Sequence, residues 1–401
     1  MKLIHTADLR LGHHLAHYSR IAEHSHFLEW LLVQIKAEAA DALIISGNIF
    51  DSPTPGAEVQ RVLFDFLDSA VKENEGLQVV ITAGSRDSGD WLETAEELLH
   101  RHNIYVRGNI PFDEEGEADF EHLILPLARR GEEEASMVCF ALPFLHRGDI
   151  PEGVSEEEGV KHFLRNMEKL HKKSDFSKLP VVLSAHLQVE DVTPSPDSRI
   201  KTAVDLATLN GNYAYTALGG VNKAQSLDAK GQIRYAGSPI ALSFAEGSDR
   251  RSVVAVELNG GRSADVRLLE YRPVCQLERI PARGAADAAE AKKLIAALPH
   301  RDMVADSRRW TYVEIFLRAT EPDETLRRYL VDTLEQKAVR VCRMTTADTR
   351  SKGDQLPSLQ SKWRNLTPLE LARRVYRERH EAEMSPALVA CFQKAEAALN
   401  D

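Results

Sequence analysis

Short apolar runs that end in polar residues or glycine alternate with stretches of helical periodicity in the first part of the chain. Residues 3–7 form the first run, which stops at an aspartate, and residues 42–46 and 77–82 form the next two. Between these runs, apolar side chains recur at helical spacing through residues 21–35 and 59–70. This alternation of strands and helices predicts an α/β fold with parallel strands.

Strand-like runs become denser towards residue 270. They cover residues 137–142, 181–183, 215–218, 232–236, 252–258 and 266–271. Glycine-rich turns join the runs within residues 214–270, which predicts the more antiparallel part of the sheet. A charged amphipathic helix is predicted over residues 159–173. Together these elements predict two strand-rich layers flanked by helices.

The pattern changes after residue 272. The predicted elements are a strand at 275–280, a helix at 285–298, a strand at 310–317, a helix at 325–335 and a strand at 339–344. This order predicts a small split βαβ domain. The polar residues that follow predict a linker, and the two amphipathic helices beyond it need a surface to cover their apolar stripes. The predicted domains are residues 1–272, 273–348, 349–364 and 365–401.

Polar residues follow five of the predicted strands directly. In an α/β sheet, the loops at the carboxyl ends of the strands converge on one crevice, where ligands bind. We therefore expect these five segments to meet at one site. The candidate residues are Asp8, Arg10, Asn48, Ser85, Arg86, His186, Gly220 and Asn222.

Charge and composition limit the function classes. The 401 residues carry a net charge of −11, so any contact with nucleic acid needs a local basic patch or a partner. The four cysteines lie far apart without a Cys-x-x-Cys pair, which favours reduced thiols over a disulfide or zinc framework. No apolar run reaches the roughly 18 residues of a membrane span. We expect a cytoplasmic protein that does not contact membranes.

The order of these strand-end segments resembles the calcineurin-like metallophosphoesterase superfamily, and in particular the SbcD/Mre11-like nuclease subunits. The segments that carry the closer resemblance are residues 5–8 with 11–12, 143–145 with 149–150, and 237–240 with 242–244. The resemblance implies a β-sandwich flanked by helices, a small capping domain and a C-terminal two-helix tail. It also implies two Mn²⁺ ions, DNA exonuclease and endonuclease activity, and a homodimer.

The resemblance further implies a partner for the tail. In the family, this tail docks on the coiled-coil base of an SbcC, Rad50 or SMC-like ATPase. The alternative is that the helices fold back on this chain's own domains, since amphipathicity alone does not name a partner. The expected partner-binding residues are Leu369, Ala372, Tyr376, Leu388 and Phe392.

Most of the family's metal-ligand positions carry other residues here. Asp8 and His186 match the family, whereas Arg10 replaces a ligand histidine, Asn48 the bridging aspartate, Ser85 the ligand asparagine, Arg86 the histidine that assists the leaving group, and Gly220 and Asn222 the last two histidines. An amide cannot supply the negative charge of a bridge, and a guanidinium repels cations. We therefore predict neither a catalytic residue nor a metal or other cofactor at this site.

The two arginines allow two interpretations. Arg10 and Arg86 replace roughly the charge of the absent ions, and a guanidinium binds phosphate through two parallel hydrogen bonds, so they could hold a DNA phosphate without cutting it. Alternatively, they pair with Asp8, Asp51 and Asp87 and rigidify an abandoned pocket. The sequence leaves both interpretations open.

Three functional hypotheses remain. In the first, the chain is a catalytically degenerate subunit that pairs with the ATPase and binds or clamps DNA ends in repair or in anti-phage or plasmid defence, with any cutting done by a separate nuclease subunit. In the second, it is a divergent Mn²⁺-dependent DNA exonuclease and endonuclease. The third, a small-molecule phosphodiesterase, is disfavoured because it needs the same metals and leaves the C-terminal helices unexplained.

Overall fold

The computed structural model describes residues 1–259, 263–319 and 324–348, and nine single residues near the C-terminus (369, 373, 376, 384, 385, 388, 389, 391 and 392). Its contacts divide the chain into two compact units. The first unit comprises Met1–Leu317 and Glu324–Thr345, and the second comprises Arg318–Asp323 and Thr346–Asp401. This division does not separate residues 1–272 from residues 273–348. The predicted domain boundaries therefore stay a prediction.

The helices confirm the main helical predictions. They are α1 (Ile21–Glu38), α2 (Ala57–Glu73), α3 (Gly89–Glu93), α4 (Glu96–His100), α5 (Glu156–Lys173), α6 (Ala288–Ala296) and α7 (Glu324–Leu334). None of these described helices is long and apolar enough to cross a membrane.

The strands follow the predicted apolar runs, with short additions between them. They are β1 (Lys2–Thr6), β2 (His14–Leu15), β3 (Tyr18–Ser19), β4 (Ala42–Ser46), β5 (Gln78–Thr82), β6 (Ile104–Arg107), β7 (Ile124–Ala128), β8 (Ala135–Leu142), β9 (Val181–His186), β10 (Gln188–Val189), β11 (Ala203–Val204), β12 (Tyr213–Gly219), β13 (Gln225–Ser226), β14 (Ile233–Tyr235), β15 (Arg251–Leu258), β16 (Ala264–Tyr271), β17 (Leu277–Ile280), β18 (Thr311–Ala319) and β19 (Val339–Asp348). Strand β6 was not predicted from the sequence.

Two six-stranded sheets form the centre of the first unit. The first has the order β16-β15-β1-β4-β5-β6, and the second has the order β13-β14-β12-β9-β8-β7. In the first sheet, β1, β4, β5 and β6 are parallel, while β15 and β16 are antiparallel to their neighbours. In the second, β12 is parallel to both β9 and β14. Residues 214–270 were predicted to be the more antiparallel part of the sheet, and β13–β14 and β15–β16 are indeed antiparallel pairs, whereas β12 is parallel to its neighbours.

The two sheets pack face to face because side chains alternate along each strand. Leu3 and Ile44 of the first sheet share a buried cluster with Met137, Val182 and Tyr215 of the second. Side chains on the outer face of the first sheet pack on α1 and α2, and those on the outer face of the second sheet pack on α5. The helix-flanked sandwich predicted from the sequence is thus confirmed.

A three-stranded sheet, in the order β17-β18-β19, follows the sandwich. Its buried core joins Val313 and Ile315 with Ile295 of α6 and Leu330 of α7. Strands β17 and β18 are parallel neighbours, so no strand separates the two halves of this βαβ unit. The prediction of a split βαβ arrangement is therefore wrong, although the predicted order of strands and helices is correct.

Of the five expected partner-binding residues, Ala372 lies outside the described residues. Leu369, Tyr376, Leu388 and Phe392 are helical, and Leu388 is exposed. The Ser385 hydroxyl accepts a hydrogen bond of 3.3 Å from the backbone N–H of Leu388, as expected for a residue that begins a helix.

Candidate functional site at the strand ends

The five predicted segments lie at the carboxyl ends of β1, β4, β5, β9 and β12. We call this part of the fold the strand-end site and define it by Asp8, Arg10, Asn48, Ser85, Arg86, His186, Gly220 and Asn222. The Ser46 hydroxyl at the end of β4 lies 3.0 Å from the Ser184 hydroxyl of β9. This contact joins the two sheets beneath the site.

Asp8 is fully buried, and both of its carboxylate oxygens accept hydrogen bonds. The Asn48 amide donates to one oxygen at 2.8 Å, and the backbone N–H of Gly220 donates to the other at 3.0 Å. Both donors stand at positions where the resemblance expects a metal ligand. Each carboxylate oxygen therefore has a neutral hydrogen-bond donor from the protein itself.

The orientation of the Asn48 amide is fixed by its two partners. Its oxygen accepts a hydrogen bond of 3.0 Å from the backbone N–H of Arg86, which can only donate. The nitrogen must therefore face Asp8. Asp8, Arg10 and Asn48 all have φ of 51°, in the left-handed region. Aspartate and asparagine tolerate this conformation, whereas it is strained by roughly 1 kcal/mol at an arginine.

His186 is buried and has one free acceptor. Its Nδ1 donates to the Ser46 carbonyl at 3.0 Å, so its Nε2 is unprotonated in the neutral ring. This Nε2 is buried and has no hydrogen-bond partner. A Cβ built on Gly47 would lie 2.2 Å from Nδ1, so the glycine is needed for the ring to approach this close to the backbone.

Arg10 is also buried, with only 3% of its side chain exposed, and it forms two ion pairs. One is with Asp51, and the other, at 2.8 Å, is with Asp197. Burial lowers the pKa of Arg10, but the two carboxylates outweigh it and raise this pKa above its ordinary value. Burial likewise raises the pKa of Asp51, yet the contacts with His13 and Arg10 bring it well below its usual range.

Arg86 shares a carboxylate with Arg10. Its Nη2 lies 2.8 Å from Asp197 Oδ2, the same oxygen that Arg10 contacts. Burial, followed by the nearby charge of Arg10, lowers the pKa of Arg86. The expectation that the arginines pair with Asp8 and Asp87 is wrong. The carboxylate of Asp8 accepts hydrogen bonds from Asn48 and Gly220 instead.

Asp87 has a structural role instead. Its carboxylate accepts hydrogen bonds from the backbone N–H groups of Ile49, Phe50 and Gly84, at 2.8–3.1 Å. It therefore joins the loop after β4 to the loop after β5. Burial raises its pKa despite these donors.

The last predicted residues line the edge of the site. Ser85 is half-buried. The Asn222 amide donates to Glu246 at 3.0 Å, pointing its side chain into the fold. Gly220 has φ of +110°, and a Cβ built on it would lie 2.8 Å from Ile200 Cδ1. A histidine at this position would require the Ile200 side chain to shift.

Asp197 was not predicted from the sequence. It lies in a loop far along the chain from both arginines, in the polar stretch between β10 and β11, and belongs to no recognisable motif. An aspartate in a stretch with prolines and serines gives no sequence signal of a long-range ion pair.

The residues present do not fit the two Mn²⁺ ions that the resemblance implies. Asp8 already accepts two hydrogen bonds, Asn48 is neutral and bonded at both ends of its amide, and Arg10 is a cation. Only His186 Nε2 is a free buried acceptor among the candidate ligands described. Within the described part of the chain, no group of three or more His, Cys, Asp or Glu side chains could hold a metal ion.

Fold and site together define a two-sheet α/β sandwich with a cluster of polar side chains at the ends of its parallel strands, the architecture that the resemblance implies. Comparison with known proteins then identifies the family. Residues 273–380 match the family model described as the type 5 capsule protein repressor C-terminal domain, SbcD_C. The D subunit of nuclease SbcCD from Rhodobacter capsulatus is 32% identical over 361 residues, which are 86% of this chain and 87% of that protein.

Two further relatives carry the same name. The protein from Escherichia coli K12 is 29% identical over 294 residues, which cover 69% of each chain. That from Bacillus subtilis 168 is 29% identical over 277 residues, which cover 66% of this chain and 68% of the relative. The chain belongs to the family of SbcD nuclease subunits, and the resemblance noted in the sequence is confirmed.

Proposed function

We propose that this chain is a catalytically degenerate SbcD subunit of an SbcCD-type complex, which binds or clamps DNA instead of cutting it. It acts in the cytoplasm, as a homodimer, with a coiled-coil ATPase of the SbcC type. DNA repair and defence against phage or plasmid DNA both suit this role. A separate nuclease subunit would supply any cleavage by the complex.

One observation carries the loss of catalysis: the Asp8 carboxylate is satisfied by Asn48 and Gly220. Two-metal phosphodiester hydrolysis needs two cations about 3.5–4 Å apart, which clamp the attacking and leaving oxygens. A bridging carboxylate offsets the repulsion between such ions, and an amide does not. Two hydrogen bonds to neutral donors leave Asp8 stable without metal.

Arg10 and Arg86 support the DNA-binding part of the proposal. Both guanidinium groups donate to one anionic oxygen, Asp197 Oδ2. A phosphodiester presents the same kind of target, an anionic oxygen with further acceptors beside it, and arginine matches it geometrically. In this proposal the strand-end site holds backbone phosphate while lacking the groups that would cut it.

The partner part of the proposal rests on the relatives' names and on the tail. These relatives are named as one lettered subunit of the nuclease SbcCD, which implies a second kind of subunit. In the tail, Leu388 is an exposed apolar residue on a helix that Ser385 caps. An apolar helical face of this kind suits docking on a partner's coiled coil.

Nuclease assays in Mn²⁺, with the chain alone and with its ATPase, test the loss of catalysis. We expect no cleavage that depends on this chain. Cleavage that disappears in Asp8→Ala and in His186→Ala would instead support a divergent Mn²⁺-dependent exonuclease and endonuclease. The unpartnered His186 Nε2 is the one observation that favours this second function.

Binding to a short DNA duplex tests the phosphate site. We expect Arg10→Ala/Arg86→Ala to weaken binding and to reduce the salt slope by about one to two units. The matched control is Lys72→Ala/Arg165→Ala, which removes the same charge from side chains that are 72% and 71% exposed. Equal affinities in the two double variants would refute phosphate binding by the arginines.

A further inference from the structure

The loop formed by residues 190–202, between β10 and β11, lies over the strand-end site. Asp197 binds Arg10 and Arg86. The Ser195 hydroxyl accepts a hydrogen bond of 2.8 Å from the backbone N–H of Asn222. This loop, which we call the Asp197 loop, therefore contacts the site at several of the positions where this chain departs from the family motif.

Ile200 completes the cover. It occupies the space beside Gly220, and together with Thr202 it lines a pocket that also contains His186. A larger side chain at position 220 would require the Ile200 side chain to shift. With the Asp197 loop in this position, the Asp197 carboxylate accepts the hydrogen bonds from both guanidinium groups that a phosphodiester would need.

The two arginines and their carboxylate partners balance in charge. Arg10 and Arg86 contribute two positive charges, and Asp51 and Asp197 contribute two negative ones. While Asp197 is in place, the two guanidinium groups therefore attract a further anion only weakly. Moving Asp197 away leaves Asp51 as the one ion-pair partner of the two arginines in this group of four, and Asp51 still holds Arg10 in place.

We propose that Asp197 is the internal ligand of an anion site and that an incoming phosphodiester displaces it, opening the Asp197 loop. This inference rests on the proposed DNA-binding function and adds its regulation. The carboxylate plays the part of the phosphate while the site is empty of DNA, and the two anions compete for the same pair of arginines.

Exposure shows which side of this contact can move. The Asp197 side chain is 44% exposed, whereas those of Arg10 and Arg86 are 3% and 11% exposed. Asp197 regains water when it leaves, so its desolvation is reversed. The arginines stay fixed by the sandwich and are presented to the new ligand already in place, which lowers the entropy cost of binding.

Affinity for a short DNA duplex, measured by fluorescence anisotropy over a range of salt, tests the proposal. Asp197→Asn removes the competing charge and should tighten binding about tenfold, as expected for a charge-assisted contact. The matched control is Asp191→Asn, in the same loop at φ of 61°, a conformation that asparagine tolerates. It should change affinity less than about twofold, since it removes only long-range charge.

Ser195→Ala provides an independent variant should Asp197→Asn fail to fold. It leaves the N–H of Asn222 without its acceptor in the closed loop, and should therefore also tighten binding, by less than Asp197→Asn. Unchanged affinity in Ser195→Ala and Asp197→Asn, or equal effects of Asp197→Asn and Asp191→Asn, would overturn the proposal.

The double arginine variant distinguishes failure of the proposed phosphate site from failure of the proposed competing role of Asp197. If Arg10→Ala/Arg86→Ala binds DNA like the wild type, the proposed phosphate site itself is refuted. If it binds weakly while Asp197→Asn binds no tighter than wild type, only the competing role of Asp197 is refuted. Adding Asp197→Asn to the double arginine variant should give no further gain.

Discussion

Asn48 donates a hydrogen bond of 2.8 Å to Asp8, where the family resemblance expects two carboxylates facing a pair of metal ions. The substitution of an amide for a carboxylate turns a repulsive pair into an attractive one. A third group, the backbone N–H of Gly220, binds the second oxygen of Asp8. Each oxygen of Asp8 therefore has a hydrogen-bond donor within the protein, without any cation.

Restoring the bridging carboxylate should destabilise the chain in metal-free buffer. Asn48→Asp removes the donor to Asp8 and places two carboxylates in contact, which should lower the free energy of unfolding by about 1–3 kcal/mol at pH 7. Repulsion raises the pKa of the pair in the folded state. The destabilisation is therefore smallest below pH ~4, the ordinary pKa of a carboxyl group in the unfolded chain. It grows as the pH rises through the raised pKa of the two carboxyl groups in the folded chain.

Urea unfolding at several pH values measures this effect. Asn210→Asp, at an exposed position, serves as the control and should change the free energy by less than about 0.5 kcal/mol. An Asn48→Asp chain as stable as the control in the absence of metal would contradict the role assigned to Asn48.

Buried histidines should make the fold sensitive to mild acid. Burial, reinforced by the nearby charge of Arg20, lowers the pKa of His24 to about 3. The stabilisation that comes from this lowered pKa is complete above pH ~6.5, the ordinary pKa of histidine in the unfolded chain. It is lost as the pH falls towards the pKa of His24 in the folded chain. Between pH 7 and pH 5 the loss should be about 2 kcal/mol for this residue.

His24→Leu removes the titrating group, so its free energy of unfolding should fall about 2 kcal/mol less than that of the wild type between pH 7 and pH 5. The exposed His102 offers the control, His102→Leu, which should keep the wild-type pH dependence. Parallel pH profiles for His24→Leu and the wild type would show that His24 is not the responsible group.

Tyr312 links the three-stranded sheet to the sandwich. Its hydroxyl donates to Glu23 Oε1 at 2.9 Å, and the Arg20 guanidinium binds the same carboxylate and lies 5.0 Å from the Tyr312 ring centroid. Tyr312→Phe keeps the ring and removes the hydrogen bond to a charged group. We expect a loss of about 1.5–3 kcal/mol in the free energy of unfolding.

Denaturant unfolding checks this prediction, with Tyr329→Phe as the control because the Tyr329 side chain is exposed. The control should stay within about 0.5 kcal/mol of the wild type. Equal stability of the two variants would mean that the Glu23 contact does not stabilise the junction.

Sequence patterns predicted the sandwich well because its strands are strongly apolar and its helices strongly periodic. The strand β6, Ile104–Arg107, was missed because it is short and alternates with polar residues next to a turn. The glycine-rich turns of residues 214–270 predict the more antiparallel part of the sheet and do not single out β12 as a parallel strand. Its partners β9 and β14 run parallel to it, an arrangement set by tertiary packing that local sequence does not encode.

At the site, the sequence predicted which residues follow the strands, but not how they are partnered. The pairing of Arg10 with Asp51 could be foreseen, since Asp51 stands at the edge of the same motif. The contact of both arginines with Asp197 could not, because the loop that carries it has no periodicity and its position depends on β10 and β11. Likewise, only the fold shows that the backbone N–H of Gly220 donates a hydrogen bond to the second oxygen of Asp8.

Calorimetric titration of the metal-free chain with Mn²⁺ tests the central claim most directly, namely that this strand-end site does not hold a pair of divalent ions. We predict heats no larger than those of dilution up to millimolar Mn²⁺. Binding of two ions per chain, abolished by Asp8→Ala and by His186→Ala, would contradict the account.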